Sequence, residues 1–103
     1  MTLLTSDTFA ELVEKHDGLC VIDFYADWCG PCRMVAPVME EIEREYSDVA
    51  FYKVNVDNDR ELAVKFRVES IPMIALVKDN TFLDMSLGYV PKDKITRLID
   101  ENK

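Results

Sequence analysis

The run Cys20-Val21-Ile22-Asp23-Phe24-Tyr25-Ala26 is apolar on both faces apart from one aspartate, and Trp28-Cys29-Gly30-Pro31-Cys32 follows almost at once. A short segment that is apolar at successive positions reads as a strand covered on two sides, as in a sheet with helices above and below it. From Pro31 the pattern changes: Met34, Val35, Val38, Met39 and Ile42 recur at helical spacing up to an end near Tyr46, with a kink expected at Pro37. The cysteine pair therefore sits where a buried strand gives way to a helix.

The same alternation continues on either side. Phe9, Leu12, Val13 and His16 predict an amphipathic helix after the capping candidates Ser6 and Asp7, stopped by Gly18. A second buried strand is expected from Val49 to Val56, followed by caps at Asp57-Asn58-Asp59 and a short helix carrying Leu62, Ala63 and Phe66. Met73 to Lys78 and Thr81 to Leu87 read as strands joined by a tight turn at Asp79-Asn80, and Pro91 opens a last helix with Ile95, Leu98 and Ile99 on its apolar face. Helices between strands impose crossovers and parallel neighbours, whereas the hairpin adds antiparallel ones. With Thr2 to Leu4 as an edge strand, the expected fold is α/β, a mixed central sheet of about five strands flanked by about four helices. No linker, repeat or low-complexity stretch interrupts it, so residues 1–103 are expected to form one domain with a core of its own.

Composition narrows the partners. With 20 acidic against 12 basic side chains the net charge is -8 and no basic run offsets it, so neither a nucleic-acid backbone nor an anionic membrane is an expected partner. A soluble monomer is the expectation. The segment Met1 to Asp7 has neither the basic start nor the apolar run of a secretory signal, and no stretch approaches membrane-spanning length, which points to the cytoplasm. Three cysteines, an odd number, suit a reducing compartment in which thiols do chemistry.

Two cysteines at this spacing admit three uses: half a metal site, a staple, or a redox reagent. A zinc site needs further ligands, and only Cys20 and His16 remain, with no second Cys-x-x-Cys. A bridge around so short a loop removes little entropy from the unfolded chain. The reagent reading has a positive reason. At a helix start, Cys29 faces unpaired amides and the positive end of the helix dipole, both of which favour the thiolate that attacks disulfides. Cys32 then falls on the same helical face, within the roughly 4.4 to 6.8 Å between alpha carbons that a disulfide allows. Gly30 keeps the approach to Cys29 free of bulk. Pro31 suits the first turn and, unlike a histidine there, adds no charge to stabilise the thiolate, which favours a reductant over an oxidant.

Asp23 is a charge inside an apolar strand, so its pKa is expected to rise. It is a candidate base, acting directly or through water, for the proton of Cys32 when that thiol attacks a mixed disulfide. An ion pair with Lys53, itself an unexpected charge in the next strand, is the competing reading, and the two are compatible. Cys20 reads as a small buried hydrophobe, with a regulatory thiol as the alternative. His16 reads as a helix-end residue, and Met34, Met39 and Met85 as packing.

Together Val21 to Cys32, Lys53-Val54-Asn55-Val56-Asp57, Ser70-Ile71-Pro72 and Gly88 resemble the thioredoxin family in order and spacing, over essentially the whole chain. The resemblance implies the thioredoxin fold and a general protein-disulfide reductase, with Cys29 attacking and Cys32 resolving, and with functional positions at Asp23 and Lys53. It implies a cis proline at Pro72 packed beside the sulfurs, leaving the Ile71 backbone to pair with an extended substrate segment. Trp28, Gly30, Pro31, Ile71, Pro72 and Gly88 would form the contact surface. No bound cofactor or metal is implied beyond the Cys29-Cys32 disulfide. The implied partners are disulfide-containing proteins and a thioredoxin reductase or equivalent donor, for which a nicotinamide-dependent flavoprotein and a ferredoxin-dependent enzyme fit equally. Two positions depart from the family pattern: Met73 replaces the usual threonine after the proline, and Asp79-Asn80 replaces an Asn-Gly type of turn. Met73 bears on which reductase and substrates fit.

Overall fold

A computed structural model describes residues 1–103. Strands β1 (Thr2–Leu3), β2 (Leu19–Tyr25), β3 (Ala50–Asn55), β4 (Met73–Lys78) and β5 (Thr81–Leu87) form one sheet in the order β1-β3-β2-β4-β5. β3 runs parallel to both β1 and β2, whereas β4 is antiparallel to β2 and β5. Helices α1 (Gly30–Glu45), α2 (Arg60–Lys65) and α3 (Lys92–Asn102) flank it, together with a short helical segment at Ala10–Glu14.

The unbroken apolar character of β2 follows from this layering. Leu19 and Val21 pack under Val35, Met39 and Ile42 of α1 and Ile95 and Ile99 of α3. Cys20, Ile22 and Phe24 pack on the other face with Phe9, Val13 and Leu62. Both faces of the strand exclude water, so neither can carry the polar alternation of a half-exposed strand. α1 continues through Pro37 to Glu45. No helix is long and apolar enough to cross a membrane.

The start of the chain departs from expectation. Instead of a regular helix from Phe9 to His16, the segment Ala10–Glu14 is wound more widely, with the Lys15 amide donating to the Ala10 carbonyl five residues back at 3.0 Å. Ser6 and Asp7 do not cap it. Ser6 donates from both its amide and its hydroxyl to the Asp59 carboxylate, each at 2.6 Å, and Asp59 also accepts from the Leu62 amide at 3.0 Å to cap α2. One carboxylate thus fastens the N-terminal loop to a helix far along the chain, and that bond occupies the residue expected to cap. The Asp79-Asn80 turn works without glycine: φ is 49° at Asp79 and 62° at Asn80, the left-handed pair of a hairpin turn, which Asp and Asn tolerate better than other side chains. The Asp79 carboxylate accepts from the Gly18 amide at 2.9 Å, bracing the turn against the entry to β2.

Candidate active site

β2 ends at Tyr25 and α1 begins at Gly30, so Cys29 occupies the N-cap of a 16-residue helix with extended backbone, φ -86° and ψ 111°. Its sulfur accepts from the Cys32 amide at 3.2 Å, the role a serine or aspartate oxygen takes at an ordinary cap. The amide and the helix dipole both stabilise negative charge at Cys29 Sγ, and therefore its thiolate. Cys29 and Cys32 are joined as a disulfide with alpha carbons 5.2 Å apart. Both residues are nearly covered, clustered with Ala26 against Tyr25, Val56 and Ile71.

The expected contact residues gather here with differing exposure. Trp28 is 69% exposed, its indole N–H donating to Asp57 Oδ2 at 2.8 Å. Pro31 is exposed; Gly30, Ile71 and Gly88 are partly so, and Pro72 itself is buried. The Ile71-Pro72 peptide is cis, and the Ile71 carbonyl oxygen lies 3.9 Å from Cys29 Sγ. Gly88 donates its amide to the Pro72 carbonyl at 2.8 Å, tying the end of β5 to the proline loop. Its φ of 77° favours glycine and would strain any other side chain, although a Cβ there would meet no atom within 4 Å.

Below the sulfurs, Asp23, Cys32 and Lys53 line a common cavity of about 190 Å³, room for a few water molecules. Asp23 is 3% exposed and its Oδ1 has no hydrogen-bond partner. Burial pushes its pKa up to about 7, and the Lys53 charge pulls against that rise without cancelling it. Lys53 stands opposite Asp23 in the β2–β3 register, yet no salt bridge joins the two, and its ammonium sits 5.9 Å over the Tyr25 ring. The direct ion pair of the competing reading is therefore absent, the lysine leaning over the ring instead. Cys20 lies apart in β2, buried, its thiol pushed up to about 11 by burial and so uncharged at neutral pH. His16 falls just past the first helical segment, and no three His, Cys, Asp or Glu side chains converge on a metal-binding geometry.

Asp57 belongs to the site, although no local pattern marks it. It was expected to help cap α2, a task Asp59 performs alone, and it instead anchors Trp28. The signal available was weak: an acidic run one strand away from an indole whose exposure no local pattern reveals.

A sulfur pair that closes within one helical turn, with an amide aimed at the first sulfur and a carboxyl that titrates near neutrality sharing a cavity with the second, is equipped for exchange with other disulfides. The chain is a thiol-disulfide oxidoreductase. The thioredoxin family model matches residues 1–101, and the chain belongs to that family. It is 40% identical over 100 residues to thioredoxin 1 of Synechococcus elongatus, covering 96% of this chain and 94% of the relative. It is also 40% identical over 97 residues to thioredoxin-T of Drosophila melanogaster, covering 93% of this chain but only 61% of that longer relative. The X-ray structure of Fasciola hepatica thioredoxin superposes with a TM-score of 0.93 at 36% identity, covering 100% of both chains.

Proposed function

We propose that the chain is a general protein-disulfide reductase in which Cys29 attacks and Cys32 resolves. The observation that carries this reading is the hydrogen bond from the Cys32 amide to Cys29 Sγ at the N-cap of α1, which favours charge on that sulfur over its partner. The Cys29 thiolate attacks one sulfur of a substrate disulfide and the other leaves as a thiolate. Cys32, giving its proton to Asp23 directly or across the cavity, then attacks Cys29 Sγ, releasing the second substrate thiolate and closing the Cys29–Cys32 bond. Two electrons pass from the dithiol to the substrate.

Trp28, Gly30, Pro31, Ile71 and Gly88 supply a shallow contact surface, with Pro72 as the buried support that presents the Ile71 backbone. Main-chain recognition of this kind reads little sequence, which suits a reagent with many protein substrates. Lys53 adjusts the proton affinity of Asp23. Residues 1–103 act as one unit, monomeric and cytoplasmic, reset by a thioredoxin reductase or an equivalent donor and needing no bound cofactor or metal.

The test is reduction of insulin disulfides by the dithiol form, alongside its reduction potential. Wild type is expected to reduce insulin with a potential more negative than that of glutathione, and Cys29→Ser to lose the activity. A potential on the oxidising side, or activity retained by Cys29→Ser, contradicts the reading.

A further inference from the structure

We propose that the free edge of β5 is a second docking track for substrate proteins, taking an extended segment with apolar residues at alternate positions and a carboxylate at the end away from the sulfurs. This rests on the reductase reading above. β5 is the last strand of the sheet, and its outer edge pairs with nothing. Soluble proteins blunt such edges with charge; β5 carries one, Asp84, while four of its seven residues are apolar and exposed: Phe82, Leu83, Met85 and Leu87.

A bulge organises them. The register passes from Leu76↔Asp84 to Val77↔Phe82, which leaves Leu83 without a partner. Phe82, Met85 and Leu87 thereby share one face despite their uneven spacing. This face runs about 17 Å at strand rise, from Leu87, beside Gly88 and the sulfur site, to Phe82 at the hairpin end. It is continuous with the proposed contact surface.

At the far end lies a groove of about 480 Å³ walled by Phe9, Phe66, Phe82 and Met85. Phe66 is the hub, with ring centroids 5.9 Å from Phe9 and 6.4 Å from Phe82. No acidic side chain lines the groove, whereas Lys65 and Arg67 do. Both cations are exposed, and neither forms a salt bridge in a chain of net charge -8. The outward Met85 amide already donates to Asp84 Oδ1 at 2.7 Å, so a partner strand added to β5 would displace that bond, satisfy the remaining free backbone groups, lay alternate side chains beside Phe82, Met85 and Leu87, and bring a terminal carboxylate to the two cations. A second copy is the less suitable occupant, since pairing β5 with itself brings together two Asp84 side chains and two strongly acidic molecules.

The probes are peptides whose single cysteine is disulfide-linked to thionitrobenzoate, so that attack on the cysteine sulfur releases a coloured thiolate. One has no extension; others carry about seven residues of alternating valine and threonine, on either side of the cysteine, ending in glutamate or in lysine. For wild type reduced beforehand with dithiothreitol and freed of it, the second-order rate constant of thionitrobenzoate release from a peptide with a glutamate-ended extension on one side is expected to exceed that of the unextended peptide by about tenfold, with the lysine-ended peptide in between. The double substitution Lys65→Glu with Arg67→Glu should reverse the order of the two charged peptides. Phe82→Ser with Met85→Ser should abolish the gain while leaving the unextended peptide unaffected. Equal rates for extended and unextended peptides overturn the track, and so does a dimer at assay concentration that Phe82→Ser dissolves. Failure of the reductase reading is distinct, because then the unextended peptide is not reduced either.

Discussion

Asp23 and Lys53 stand opposite each other on neighbouring strands, on the same face of the sheet, without forming an ion pair. Burial consequently governs the aspartate, whose pKa rises to about 7 although a cation is close. In the unfolded chain such a carboxyl titrates near pH 4. Between those values the folded state holds a proton that the unfolded state has lost, so stability falls as pH rises through this window and stays reduced above it. Asn does not ionise and escapes the penalty. Asp23→Asn is expected to be more stable than wild type by up to about 4 kcal/mol at pH 8, with the difference fading towards pH 3.5. Urea denaturation of the oxidised protein at both pH values checks this; a gain independent of pH would point to packing instead of ionisation.

Lys53 acts on Asp23 through its charge, not through a shared hydrogen bond. Lys53→Met keeps much of the stem over Tyr25 and removes the charge, so the Asp23 pKa is expected to move above its wild-type value. A carbon-detected NMR titration of the Asp23 carboxyl reads this directly. A pKa that stays put or falls would show that the lysine does not tune the base.

Two glycines of the site differ in what a side chain would cost there. Gly88 has open space around it but a φ of 77°, so Gly88→Ala should cost about 1 to 2 kcal/mol through backbone strain alone. Gly30 also has open space and lies in the first turn of α1, so Gly30→Ala should leave stability unchanged or slightly higher. Thermal denaturation of the two variants provides the comparison, and equal losses would contradict it.

What could be read in the sequence was what local pattern determines. β2, α1 and the junction between them follow from a doubly apolar run and a change to helical period, and the two cysteines fall at that junction without further information. The opening helix was misjudged because Ser6 is claimed by Asp59, a partner 53 residues away that no local window contains. Asp57 was missed for the same kind of reason, since its bond to Trp28 spans 29 residues. The exposed face of β5 depends on one extra residue, Leu83, which shifts the alternation in a way that period-two reading cannot anticipate.

The division of labour between the two sulfurs is tested most directly by trapping. Each single serine variant is mixed with native insulin, quenched with acid and examined by mass spectrometry. The account predicts that Cys32→Ser accumulates a covalent insulin adduct through Cys29, released by dithiothreitol, while Cys29→Ser forms none on the same timescale. An adduct that builds on Cys32 in the Cys29→Ser variant, with Cys32→Ser unreactive, would contradict it.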